Sequence, residues 1–185
     1  MRKLLLLGVL LSSLCIPCEA QQKMRDVFLQ MPDSLFPYLT QNNRLDFIDF
    51  IDSGMKAVVS NEFSGKSEML SLTDEELSLQ LSSALKVKMR LMPVNEVVDS
   101  CHQVICVVKT YGEANPESKI EIYSISWQPL DVSKYLTLPH EPYWADIVEI
   151  PSLGLSLRQM NTLDAIAYEE QKMEEPWLKN IEWRR

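Results

Sequence analysis

The sequence predicts an α+β fold: N-terminal helices packed on an antiparallel β-sheet that runs as a meander, followed by a less regular C-terminal part. Two observations predict it. Near residue 65 the spacing of apolar side chains changes from the helical period of about 3.6 to the strand period of 2. From there, alternating runs follow one another across short polar turns, the pattern of antiparallel strands with one wetted face. With 185 residues, 46% apolar and 24% charged, the chain suits one folded domain and excludes wholesale disorder.

The first twenty residues read as an export signal. Arg2 and Lys3 precede an apolar stretch over residues 4–14, shorter than the roughly 20 residues that span a bilayer. Cys18-Glu19-Ala20 puts small residues at positions −3 and −1 of a cut after Ala20. A lipid anchor at Cys15 or Cys18 is disfavoured, because Leu14 and Pro17 are poor fits to the small residue preferred ahead of a lipidated cysteine. No later segment is apolar for long enough to make a transmembrane span. The expected organisation is therefore a signal peptide over 1–20 and a single domain over 21–185, exported to the periplasm or cell surface.

Over residues 26–38 the apolar side chains Val27, Phe28, Leu29, Met31, Leu35 and Phe36 are interrupted by Pro32 and Pro37, which predicts a short helix on each side of Pro32. The next helix is the clearest. Asn42 or Asn43 caps it; Leu45, Phe47, Ile48, Ile51, Met55, Val58 and Val59 fall mostly on one side, with Asp46, Asp49, Ser53, Lys56 and Ser60 opposite. Asp52 and Lys56 are four apart and support one another, and Gly54 marks a slight break. Residues 69–72, 77–82 and 85–91 then alternate around turns at 73–75 and 83–84. Residues 103–111 and 119–127 make another pair. Val104-Ile105-Cys106-Val107-Val108 lacks alternation, which marks a central strand covered on both faces, with the N-terminal helices as the cover for one. Beyond Trp127, prolines punctuate short pieces: a helical turn at 131–135, a loop at 139–142, strands at 147–150 and 153–157, an ambiguous stretch at 162–168, a helix over 169–175, and residues 181–183 closing the sheet.

The charge pattern argues against nucleic acid, since 26 acidic side chains outnumber 18 basic ones. Ser64-Gly65-Lys66-Ser67 imitates part of a phosphate loop, but Ser60 stands where that motif needs glycine and a helix precedes it instead of a strand. Asp46, Asp49 and Asp52 read as a solvated helix face, not a calcium loop. Cys101, His102, Cys106 and His140 offer zinc-ligand types without a close-ligand pair. On one extended strand Cys101 and Cys106 stand about 16 Å apart, beyond the ~7 Å reach of a disulfide. There is no G-x-S-x-G elbow. The sequence thus predicts no catalytic, cofactor-binding or metal-binding residue and no cofactor.

Two surface features remain. Lys86, Lys88 and Arg90 form a basic stripe on a strand face, read as exposed and resistant to edge-to-edge aggregation. His140, Tyr143 and Trp144 lie together in a proline-bounded loop, and aromatics in loops anchor ligands. The expected function is a non-catalytic exported module that binds an envelope protein, peptide or glycan through His140, Tyr143 and Trp144. The alternatives are a carboxylate-dependent periplasmic hydrolase, whose paired carboxylates a sequence does not reveal, and a structural subunit of a surface assembly.

Asp26-Val-Phe-Leu-Gln-Met-Pro-Asp-Ser-Leu-Phe-Pro-Tyr-Leu-Thr-Gln-Asn-Asn-Arg-Leu-Asp-Phe-Ile-Asp-Phe, Gly65-Lys-Ser-Glu-Met-Leu-Ser-Leu-Thr-Asp, Gln103-Val-Ile-Cys-Val-Val and Ile122-Tyr-Ser-Ile-Ser-Trp127 together resemble a family of exported bacterial proteins catalogued as a domain of unknown function. The resemblance runs from about Asp26 to Trp127, more weakly to Trp183. It implies an envelope location and brings no activity and no site residues. Relatives can hold cysteines in the loop equivalent to residues 112–117; this chain has none there, so the resemblance implies no loop disulfide for it.

Overall fold

The structure is a computed structural model that describes residues 21–113, 116–138, 143–150, 154–161 and 179–184. Helix α1 (Met24–Leu29) and a 3-10 turn (Asp33–Leu35) flank Pro32 as expected. Helix α2 (Gln41–Asp52) is capped by Thr40 instead of Asn42 or Asn43. Thr40 Oγ1 accepts the Asn43 N–H at 3.2 Å, and Asn43 Oδ1 accepts the Thr40 N–H at 3.1 Å, so Asn43 is the reciprocal partner of the cap.

The expected continuation of this helix to Val59 is wrong, and Gly54 is the reason. Gly54 adopts φ +65°. Its N–H bonds the Ile51 carbonyl at 3.0 Å, while the Met55 N–H reaches back to the Phe50 carbonyl at 2.8 Å. This pair of bonds closes a helix around a left-handed residue, which glycine adopts without a Cβ penalty. Val58 and Val59 accordingly enter a strand. Lys56 pairs with Glu68 at 3.1 Å, not with Asp52, whose carboxylate bonds Arg25 of α1 at 2.7 Å.

The alternating runs form one antiparallel sheet in sequential order: β1 (Val58–Ser60), β2 (Lys66–Leu72), β3 (Glu76–Ser82), β4 (Leu85–Val98), β5 (Cys101–Tyr111), β6 (Glu117–Tyr123) and β7 (Pro129–Leu130). β4 and β5 turn through Asp99 and Ser100, both at positive φ, as a two-residue hairpin with right-twisted strands requires. Trp127, expected on a strand, sits at φ +64° in the turn after β6. Its indole N–H donates to the Val27 carbonyl at 2.9 Å and pins α1 to the sheet.

Leu77, Leu79, Leu81, Val87, Met89, Leu91, Ile105 and Val107 face inward and pack against Met24, Phe28 and Phe47 of the helices. Val104, Cys106 and Val108 point the other way and join Ile120 and Ile122 in a second core. β5 is thus the doubly covered central strand that its unbroken apolar run predicts. Cys101 and Cys106 are free and buried on that one strand.

The second core is covered by a smaller antiparallel sheet in the order β10-β9-β8, built from β8 (Tyr143–Ile150), β9 (Gly154–Asn161) and β10 (Lys179–Glu182). Residues 181–182, expected to close the main sheet, pair with β9 instead. Trp183 follows the strand; its indole donates to the Pro93 carbonyl at 2.8 Å and stacks on Tyr135 at 5.3 Å. The expected export signal over 1–20, the loop at 139–142 and the elements expected within 162–175 lie outside the described residues.

Candidate functional site

Residue type changes across the outer face of the large sheet. β5 and β6 present Val104, Cys106, Val108, Ile120 and Ile122; β3 and β4 present Ser78, Gln80, Lys86, Lys88 and Arg90. The small sheet packs over the apolar half, where expelling water is favourable, and stops at the polar half. Between its first strand and the uncovered floor runs a cleft of about 530 Å³, within the range of ligand sites. Ser78, Gln80, Lys86, Lys88 and Thr110 line its floor, and Trp144 and Ala145 of β8 form one wall.

Side chains of the large sheet hold that wall in place. Ser118 Oγ accepts the Ala145 N–H at 3.0 Å, donates to the Ala145 carbonyl at 3.4 Å and meets Thr110 Oγ1 at 2.9 Å. Lys88 Nζ donates to the Ile147 carbonyl at 2.8 Å. These groups satisfy backbone positions on the edge of β8 that a neighbouring strand would otherwise pair.

The expected exposed basic stripe is therefore half covered and largely neutralised. Glu76 lies 3.5 Å from Lys88 Nζ and 3.2 Å from Arg90 Nη1, and Glu75 lies 3.5 Å from Arg90 Nη2. Lys86 is exposed and has no ion-pair partner among the described residues, which leaves one uncompensated ammonium in the cleft. Glu113 is the one carboxylate among the described lining residues.

Of the sequence-predicted ligand residues, Tyr143 and Trp144 open β8 instead of lying in a loop. Tyr143 packs half-buried against the second core, where burial pushes its phenol above the ordinary value. Trp144 borders the cleft, beside Lys86 and Lys88 of the basic stripe, more than fifty residues earlier in the chain. His140 lies outside the described residues. Ser78, Gln80, Thr110 and Ser118 were not singled out from sequence: a polar residue at an outward strand position looks the same on any wetted face.

The other candidate chemistries resolve into structure. In the 61–65 turn, Asn61 Oδ1 accepts the N–H groups of Phe63 at 3.1 Å and Gly65 at 3.0 Å, the amides a phosphate would need. A Cβ at Gly65 would stand 3.3 Å from Asn61 Nδ2, so the glycine lets the asparagine close the turn. Complete burial pushes the Cys106 thiol up to about 12, and a thiol is a poor nucleophile or ligand. Glu121 is displaced the other way. Burial works against its charge, but bonds from Lys109 and Lys119 at 2.7 Å each and from the Tyr123 hydroxyl at 2.8 Å outweigh it and hold the carboxyl at about 2. A general acid in sugar hydrolysis needs the opposite displacement.

A family described as "Protein of unknown function (DUF3256)" matches residues 18–173. No curated protein matches the chain. A solved structure described as a domain of an uncharacterized protein from Porphyromonas gingivalis W83 is 26% identical, covers 82% of this chain and 86% of that one, and superposes with a TM-score of 0.58.

Proposed function

Because the chain belongs to the DUF3256 family of proteins of unknown function, membership supplies no activity, and we propose that it is an exported envelope module that binds a glycan carrying acidic groups in the cleft beside β8. The observation that carries this reading is the combination of lining groups: hydroxyls of Ser78 and Thr110, the uncompensated ammonium of Lys86, and Trp144 at the wall. Hydroxyls match sugar hydroxyls as both donors and acceptors, an ammonium matches a carboxylate or sulfate, and an indole offers apolar area with one polar tip. Glycosidic cleavage calls for two carboxylates roughly 5–10 Å apart, and binding calls for none. Export is supported by Arg2 and Lys3 ahead of the apolar stretch at 4–14. Among the described residues no helix is long and apolar enough to cross a membrane.

Titration calorimetry of the secreted chain against oligogalacturonides and neutral dextran oligosaccharides tests the reading. The acidic sugar is expected to bind, with roughly tenfold weaker affinity in Lys86→Gln and in Trp144→Ala, since each loses one charged or stacked contact. Equal binding of both sugars, or none of either, overturns it. N-terminal sequencing of the secreted material is expected to find Gln21 first; a start at Met1 overturns the export half.

A further inference from the structure

The strand register orders the polar floor of the cleft beside β8. Glu68 of β2 stands opposite Gln80 of β3, Gln80 opposite Lys86 of β4, Lys86 opposite Thr110 of β5, and Thr110 opposite Ser118 of β6. Directly opposed residues of antiparallel strands project to the same face, so these side chains form one row across the sheet. Its outer members are committed elsewhere. Ser118 is buried and bonded to the Ala145 backbone, and the Glu68 carboxylate is held by Lys56 at 3.1 Å. Gln80, Lys86 and Thr110 remain, and all three line the cleft. We infer that this row selects a linear glycan in which one acidic unit lies between two neutral ones, which rests on the reading of the cleft as a site for acidic glycans.

The placement of protons along the row selects that pattern. Gln80 donates its amide nitrogen to the carbonyl oxygens of Ser82 and Leu85, the latter at 3.4 Å. Both partners are carbonyls, so the nitrogen has to face them, and the side chain has only its oxygen left for a ligand. Thr110 is placed alike. With the Ser118 proton on the Ala145 carbonyl, Thr110 Oγ1 is the donor in its 2.9 Å contact with Ser118 and has its lone pairs left. Lys86, between them, carries an ammonium that only donates. The order is acceptor, cation, acceptor. A carboxylate belongs over Lys86. Over Gln80 or Thr110 it would set acceptor against acceptor with no proton between, so neutral units whose hydroxyls donate belong there.

The surrounding charges favour the same arrangement. Lys88, in the neighbouring row, bonds the Ile147 carbonyl at 2.8 Å and lies 3.5 Å from Glu76, so it adds no second uncompensated cation. Glu113, just past the end of β5, brings a negative charge to the Thr110 side of the cleft. Beyond Gln80 the row meets Glu68, whose charge Lys56 only offsets. A chain acidic at every unit, laid along the row, would bring its outer carboxylates towards these groups without gaining a cation. An alternating chain brings one carboxylate to the one free ammonium. Neighbouring strands stand about 4.8 Å apart, so each of the three side chains meets a different unit of an extended glycan.

Titration calorimetry of the full secreted chain with three trisaccharides tests it. The first is glucuronate flanked by two N-acetylglucosamine units, the second N-acetylglucosamine flanked by two glucuronates, and the third trigalacturonate. The first is expected to bind at least about tenfold more tightly than either of the others. Gln80→Lys places a cation at one flank and is expected to bind trigalacturonate at least about threefold more tightly than the parent chain does, a gain that damage to the fold would not produce. Lys86→Gln is expected to bring the three affinities within about twofold of one another. Thermal melts confirm that each variant folds. Equal or tighter binding of the second or third sugar by the parent chain, or no gain in Gln80→Lys, overturns the inference and leaves the glycan reading standing. Absence of binding by all three overturns the inference; the glycan reading survives that result if longer oligogalacturonides bind, and falls with it if they do not.

Discussion

The two faces of the large sheet share the same strands and hold their covers by different means. On the inner face every strand from β3 to β5 contributes apolar side chains, and α1 and α2 lie on a continuous core. On the outer face the apolar side chains gather on β5, β6 and the far end of β4, and the cover is held there partly by Ser118 and Lys88 hydrogen-bonded to the edge of β8. A continuous buried area with a bond or two, such as that from Trp127 to Val27, fixes the helices; a smaller area with several directional bonds fixes the small sheet. The difference teaches where a binding surface can arise. A cover matched to the whole of a face leaves no room, whereas one matched to half of it leaves a polar floor beside a wall.

That contrast can be broken or sharpened by mutation. The largest effect belongs to the inner face: Phe47 is fully buried between α2 and the sheet, and Phe47→Ala is expected to cost about 3–5 kcal/mol in urea denaturation. A loss much below that range would mean that the helices are not held by buried area. Ser118→Ala strikes the outer cover. It leaves the buried Ala145 N–H without its partner, a cost of about 1–3 kcal/mol, and hydrogen exchange should quicken in β8 while α2 and β3 stay protected. Equal loss of protection in β3 would show that the two covers unfold as one.

A third effect belongs to Glu121, whose contribution to stability is present at neutral pH and is lost in acid. Its folded-state pKa of about 2 lies below the ordinary 4.5, so the unfolded chain binds more protons between those values. The stability this carboxylate contributes is complete above about pH 4.5 and is lost as pH falls towards 2. Urea midpoints measured at intervals from pH 5 to pH 2 should fall, and Glu121→Gln should flatten that decline. An unchanged slope in the variant would mean that the bonds from Lys109, Lys119 and Tyr123 do not hold the charge in solution.

Much of the architecture is legible in local sequence because its causes are local. Pro32 separates α1 from the turn that follows it, and the alternation over 77–91 specifies two strands and their wet face. The run from Val104 to Val108 announces a strand covered twice. The misreadings also have identifiable causes. Val58 and Val59 continue the helical spacing by coincidence, and the closing bonds of Gly54 override it. Asp99-Ser100 lacks the glycine that usually marks a two-residue hairpin, so β5 begins earlier than its apolar run suggests. Tyr143 and Trp144 follow a proline and resemble a loop, yet their backbone pairs with Asn161 and Met160 of β9. Of the candidate site, Trp144 and the lysine stripe were each visible in the sequence; their meeting was not.

By itself, the sequence determined the class of the fold, the order of its elements and which face of each strand sheds water, because these follow from side-chain period and backbone preference within a few residues. Only the tertiary structure decided which strand pairs with β10, how far the small sheet extends over the large one, and that Lys86 and Trp144 border one cleft. Those outcomes depend on contacts between segments far apart in the chain. Such contacts are selected by the fit of whole surfaces, a quantity that no local window of residues contains.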